Sequence, residues 1–183
     1  MDSQKIKALY EKVKPSVDFS SLRFHSEKDD SLGMRQGVLE PSSTSRDSGA
    51  MLTVYHKGGM GYAATADLSE SGLKAAFSKA VQWAESNAGS CVANYANLKM
   101  PHPKGEFRSP VKTLWEDVPL SDKISFLDQV SNSLKVSDKI VDRDISLWHN
   151  QSERLYLTSE GGEVYQDFNR MVPSFIVTAN EGA

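Results

Sequence analysis

From Ala50 to Tyr55 the side chains alternate, with Met51, Thr53 and Tyr55 on one side and Leu52 and Val54 on the other. That two-residue period is the signature of a strand with one buried face. His56-Lys57-Gly58-Gly59 follows as a turn in which the glycine pair supplies the positive φ of a tight hairpin, and Met60 to Thr65 forms the returning strand. Asp67-Leu68-Ser69-Glu70 then reads as a helix start, with Asp67 accepting a backbone N–H near Glu70 while Glu70 reaches back. Leu73, Ala76, Phe77, Ala80, Val81 and Ala84 fall at helical spacing and predict a helix over 69–86 with one face buried against a sheet. This hairpin and helix form a packing unit without chemistry of its own.

The rest of the chain reads outward from that unit. Ile6, Leu9, Tyr10 and Val13 mark an amphipathic helix near 4–14 that ends before Pro15. Ser21 to Ser26 alternates as a strand, Glu27-Lys28-Asp29-Asp30 reads as a solvated hairpin tip, and Ser31 to Arg35 returns towards a turn at Gln36-Gly37. Val38 to Thr44 reads as a polar strand suited to an edge. Residues 88–118, with Gly89, Pro101, Pro103, Gly105 and Pro110, read as a long connection. Leu120, Ile124, Leu127, Val130 and Leu134 predict a helix over 120–136, capped by Ser121 or Asp122. Ile145 and Leu147, a polar tip at Asn150 to Glu153, and Leu155 and Leu157 describe another hairpin. Strands over 164–170 and 172–179 follow a turn at Glu160 to Glu163.

The two halves resemble each other. Setting Val136 on Val13 brings Ile145 onto Leu22, Leu147 onto Phe24, Leu155 onto Leu32 and Leu157 onto Met34; with one inserted residue Gly161 meets Gly37 and Gly182 meets Gly58. The expected fold is therefore α+β: an antiparallel β-sheet with helices packed on it, in two partly repeated αββββ units of which the second is truncated. The expected domains are 1–87, a connection over 88–118, and an incomplete unit over 119–183. Because the second copy stops where the first makes its central turn, the chain is expected to be a piece of something longer.

Composition narrows the functions. The 183 residues carry a net charge of −3 without a cluster of Lys or Arg, so a nucleic-acid partner held through phosphates is not expected. No apolar run reaches the ~20 residues of a membrane span, and no signal peptide is evident, so neither membrane nor secretion is expected. The single cysteine, Cys91, fits a reducing cytoplasm and sits in a polar segment as a spectator thiol. Gly58-Gly59-Met60-Gly61 beside Lys57 lacks the spacing of a phosphate loop and reads as a turn. Trp83, Trp115 and Trp148 read as packing residues rather than a stacking platform.

Three ordered segments carry a resemblance. Arg35-Gln36-Gly37-Val38-Leu39-Glu40, then Arg46-Asp47-Ser48-Gly49-Ala50, then Gly61-Tyr62-Ala63-Ala64-Thr65-Ala66-Asp67-Leu68-Ser69 resemble the amino-terminal signature of the TldD/PmbA family. Trp115 to Leu120 and Ser159 to Val164 are similar to later landmarks, and Leu52-Thr53-Val54 departs from the family's "VRV"-like strand. The resemblance implies an amino-terminal region of a cytoplasmic zinc metalloprotease, from a family also labelled modulators of DNA gyrase, whose members process peptides. The family's catalytic subunit uses a helical HExxxH pair plus a distal zinc ligand, and its sister subunit lacks that motif and pairs with it.

No such motif is present. Ser26, Lys57, Pro103 and Asn150 follow the four histidines, His25, His56, His102 and His149, and no two histidines are four apart. No catalytic and no metal-binding residue is therefore assigned, substrate-binding residues are unknown, and no cofactor is expected in this chain. Zinc is expected only in the full-length parent if it is the catalytic subunit. The implied partners are the carboxy-terminal remainder of the protein, a homologous subunit in a homo- or heterodimer, and a peptide substrate. The alternative function is a stand-alone interaction or dimerisation module that pairs through Val38–Thr44.

Overall fold

The structure, a computed structural model, describes residues 3–182. The elements in order are α1 (Ser3–Val13), β1 (Phe19–Arg35), β2 (Val38–Leu39), β3 (Ser43–His56), β4 (Gly59–Thr65), α2 (Glu70–Asn87), β5 (Lys104–Arg108), α3 (Leu120–Ser133), β6 (Ile140–Thr158) and β7 (Glu163–Ala179). Short 3-10 turns occupy Tyr95–Asn97 and Trp115–Asp117. The seven-stranded sheet has the order β4-β3-β1-β6-β7-β5, with β2 beside β1. The β1–β2 and β3–β4 ladders are antiparallel, whereas β5 runs parallel to β7 from Lys104 opposite Glu163 to Arg108 opposite Asp167. The fold is α+β on a mixed, mostly antiparallel sheet. β5 lies in the segment read from the sequence as a long connection; all five of its residues are exposed, so burial imposes no alternation there.

Two expected hairpins are single strands. Glu27 to Asp30 lies inside β1 and Asn150 to Glu153 inside β6, so neither is a tip. The apolar alternation pauses at both places, but the strand period does not: Leu22, Phe24, Lys28, Asp30, Leu32 and Met34 share one side of β1. The last two expected strands are also one, β7. Val38–Thr44 is split between the two-residue β2 and the start of β3.

The chain forms two compact units. The first comprises Met1–Glu27, Asp47–Arg108 and Ser152–Asp167, and the second Lys28–Arg46, Ser109–Gln151 and Phe168–Ala183. In the first, Ile6 and Tyr10 of α1, Leu22 and Phe24 of β1, Leu52 and Val54 of β3, and Leu73, Phe77, Ala80 and Ala84 of α2 form one buried cluster with Leu155 and Leu157 of β6. Tyr10 ties α1 down by donating to the Ser20 carbonyl at 3.0 Å, and burial pushes its phenol up to about 12. In the second unit Leu127 of α3 packs on Leu32, Met34, Ile145 and Leu147. Arg143, itself buried, donates to the Ser131 carbonyl in the last turn of α3 at 2.5 Å, where a cation suits the carbonyl end of a helix.

The helix starts differ from expectation. Ser69, not Asp67, is the N-cap of α2 and accepts from Gly72 N at 3.1 Å, while Asp67 Oδ1 accepts from Ser69 N at 3.0 Å. Asp67 therefore braces the approach to the helix, two residues before the cap. α3 starts at Leu120 with Pro119 as N-cap and no side-chain cap bond, so neither Ser121 nor Asp122 fills that role.

The β3–β4 hairpin closes with His56 opposite Gly59, and its two loop residues, Lys57 and Gly58, hold φ of 54° and 82°. Two successive positive φ values in a two-residue loop match the right-handed twist of the strands. Gly59 has a different job. A Cβ there would lie 2.0 Å from the Ala84 carbonyl oxygen, and one at Gly61 would lie 2.0 Å from that of Ala80. Both glycines let the backbone of α2 rest directly on β4. Gly61→Ala is expected to lower stability by about 3 kcal/mol through this overlap, and Gly58→Val by about 1–2 kcal/mol through backbone strain. Denaturant midpoints decide it: an unchanged midpoint for Gly61→Ala would show that α2 is not seated on the strand.

Candidate functional site

In the second unit the polar middle of the strands is an organised cluster. Asp30 Oδ1 accepts from Thr44 Oγ1 at 2.6 Å, and the Lys28 ammonium lies 3.0 Å from Asp30 Oδ2 and 2.8 Å from Glu116 Oε1. His149, only 1% exposed, stacks on Trp115 with ring centroids 5.2 Å apart and planes at 9°. Its Nε2 is 3.1 Å from Asn169 Oδ1 and its Nδ1 is 3.6 Å from Asp30 Oδ2. The Lys123 ammonium lies 3.7 Å from the Trp115 ring centroid and donates to the Trp115 carbonyl at 2.7 Å. Asp29, one residue out of phase, accepts at one oxygen from Trp148 Nε1 and Asn150 Nδ2, both at 2.9 Å, and Arg170 donates to Asn150 Oδ1 at 3.1 Å.

The charges in this cluster answer one another. Burial alone would raise the Asp30 carboxyl, but the hydrogen bonds from Thr44 and Lys28 outweigh it and hold the group below its ordinary range. The Lys28 ammonium is raised, first by its hydrogen bond to Glu116 and then by the one to Asp30. The Glu116 carboxyl is lowered, chiefly by Lys28. A general acid or base must reach a substrate proton. His149 is closed off, and Lys28, Asp30 and Glu116 are occupied with each other, so the cluster orders strands and seats Trp115.

The remaining histidines are dispersed in the first unit. His25 lies 3.7 Å from Glu27 and lines a shallow depression of about 470 Å³ with Arg23, Asp47, Ser48 and Met51. His56 lies 3.8 Å from Asp18 and 3.9 Å from Glu85 at the hairpin turn, where Asp18 also accepts from Lys57 N at 2.8 Å. His102 is exposed, 3.7 Å from Glu160. Among the described residues, no three of His, Cys, Asp and Glu stand close enough together to hold a metal ion. These residues do not fit a zinc site. Cys91 is a free thiol.

Sequence reasoning missed the cluster because four polar residues in a row look like a turn. The signal that would have found it is parity: Lys28 and Asp30 continue the buried side of β1, and His149 continues that of Ile145 and Leu147 in β6.

These features define a class: an α+β fold in two units, with buried polar bracing and no ligand set for a metal among its described residues. The description "PmbA/TldA metallopeptidase domain 1" matches residues 21–88 and "PmbA/TldA metallopeptidase central domain" matches residues 114–183. The chain belongs to the PmbA/TldD family. Among solved structures it is similar to a "putative modulator of a DNA gyrase" from Thermotoga maritima, with a TM-score of 0.72 at 13% identity, covering 98% of this chain and 40% of that one. A "putative modulator of DNA gyrase" from Bacteroides thetaiotaomicron gives 0.69 at 18% identity, with 98% and 41% covered. TldE from Thermococcus kodakarensis gives 0.68 at 17% identity, with 98% and 39% covered. At these identities the likeness is one of fold. No curated protein sequence matches the chain.

The cluster sets a pH dependence. Asp30 and Glu116 have lowered folded values, so their stabilisation is present above the unfolded range near ~4 and is lost as pH falls through the folded values. Lys28 is raised, so its contribution is present below ~10.5 and is lost as pH rises through the folded value. Stability is therefore expected to be flat around neutrality and to fall in acid. Lys28→Met should cost about 1–3 kcal/mol at pH 7 by leaving Asp30 short of a partner, and should flatten the acid limb. Urea unfolding at pH 7 and pH 3 checks both, and an acid limb equally steep in the variant would exclude this ion pair as its source.

Proposed function

We propose that this chain forms the non-catalytic, amino-terminal scaffold of a PmbA/TldD-type zinc metallopeptidase or of its metal-free partner subunit. The observation that carries the reading is a contrast. Two metallopeptidase domain descriptions match the chain, first and central, yet no three ligating side chains converge among its described residues. The chain spans about 40% of the length of the solved Thermotoga maritima structure, which leaves room in a protein of that length for a metal site elsewhere. In this reading the two units support the remainder of the protein and pair with a homologous subunit, and the peptide is cut beyond these residues. A reducing, cytoplasmic setting belongs to the same reading, supported by the single Cys91.

Elemental analysis of the purified chain, paired with a peptide-cleavage assay, tests it. The expected result is sub-stoichiometric zinc and no cleavage, with zinc bound only by a longer chain of the same family type that carries the helical histidine pair. Stoichiometric zinc that survives dialysis, or cleavage that a chelator abolishes, would overturn the proposal.

A further inference from the structure

β4 stands at one end of the strand order, and among the described residues no strand pairs with its outer side. The hairpin register fixes which groups that side presents. His56 and Gly59 form the closing pair, so hydrogen-bonded pairs recur at Gly61 and Ala63, and the N–H and C=O groups of Met60, Tyr62 and Ala64 point away from β3. The Met60 carbonyl is taken by Asn87 Nδ2 at 3.0 Å, which closes one end of this ladder. Gly59-Met60-Gly61-Tyr62-Ala63-Ala64-Thr65 contains no charged residue and no proline, the usual devices that keep an edge strand from pairing.

A hollow of about 540 Å³ lies along this edge. Met60, Tyr62 and Ala64 contribute to its lining from β4, and Lys79, Trp83 and Asn87 from α2, so it wraps both sides of the strand. Tyr62 is 63% exposed and Trp83 is 53% exposed, an unusual outlay of aromatic surface beside an open ladder. Among the described residues Lys79 is the sole charged one in the lining.

We propose that the β4 edge is a docking site for an extended peptide segment, which adds to the sheet as a further strand, packs its apolar side chains beside Tyr62 on one face, and places a carboxylate on Lys79 on the face that carries α2. The open ladder calls for a partner that is itself extended, since only a peptide backbone supplies the complementary N–H and C=O groups. The unopposed Lys79 selects an acidic one. Asn87 sets the register by blocking the Met60 carbonyl. This inference does not depend on the scaffold role proposed above, since it uses only the first unit's own residues.

The probe is an array of eight-residue peptides with Val, Leu or Phe at alternate positions and Asp, Asn or Lys at each position between. The purified chain is expected to bind Asp-containing members at least tenfold above their Lys counterparts. Methylating alternate backbone nitrogens of the best binder should abolish binding, and deuterium exchange at the Tyr62 and Ala64 amides should slow when that peptide is added. Lys79→Glu faces solvent, leaves the fold intact by circular dichroism, and should reverse the preference towards Lys-containing members. Uniform binding, binding indifferent to N-methylation, no binding at 1 mM on the order of typical weak peptide affinities, or an unreversed preference in Lys79→Glu would each overturn the proposal. So would slow exchange at Tyr62 and Ala64 in the free chain together with a dimeric sedimentation coefficient, which would give the edge to a second copy.

Discussion

In the first unit two backbones meet directly. β4 runs under α2 with no side chain between them at Gly59 and Gly61, whose absent Cβ atoms leave room for the Ala84 and Ala80 carbonyls. Much else follows from that seating. Ala80 and Ala84 are fully buried because any larger residue would lift the helix. Phe77 and Leu73 can then reach Tyr10 and Ile6 of α1, and the Ser69 cap and Asp67 brace set the angle at which α2 leaves β4. The segment from Gly61 to Ser69, the longest stretch of resemblance to the family, thus places a helix.

Much of the fold could be read along the chain, because its helices and the β3–β4 hairpin obey local rules. The stripe from Leu73 to Ala84 appeared as a buried face, and α1, α2 and α3 begin and end within a few residues of where periodicity puts them. What was not legible depended on partners distant in sequence. Glu27 to Asp30 reads as a turn only until Thr44, Glu116 and His149 are brought to Lys28 and Asp30. β5 gave no sign of itself because its pairing is with β7 and none of its side chains is buried. The four histidines lie in separate surroundings.

The buried polar cluster has a cost and a use. Removing Asp30 and His149 from water is unfavourable, and the ion pair with Lys28 and the hydrogen bond from Thr44 offset it only because every group is held in place. An apolar set of side chains could have packed as well. What it would lack is direction: Thr44 donates to Asp30, and Asp30 and Glu116 accept, only from partners that meet them at one register. In long strands whose polar middles offer little hydrophobic guidance, that specificity fixes which residue of β1 lies beside which residue of its neighbours.

The parallel pairing of β5 with β7 bears on how the chain assembles. The β3–β4 hairpin joins residues on either side of a two-residue loop, and α2 follows at once, so these contacts close short loops. Lys104 meets Glu163 only after α3, β6 and the turn into β7 have intervened. Loop closure of that span is entropically dearer, and contacts of that kind form late. During synthesis the hairpin and α2 leave the ribosome with most of their partners already made, whereas β5 must wait, extended and unpaired, for a strand not yet translated. Pulse-labelled amide exchange during refolding would show Leu52 and Val54, bonded to β4, protected before Phe107, whose N–H faces β7, and the opposite order would refute this sequence of events.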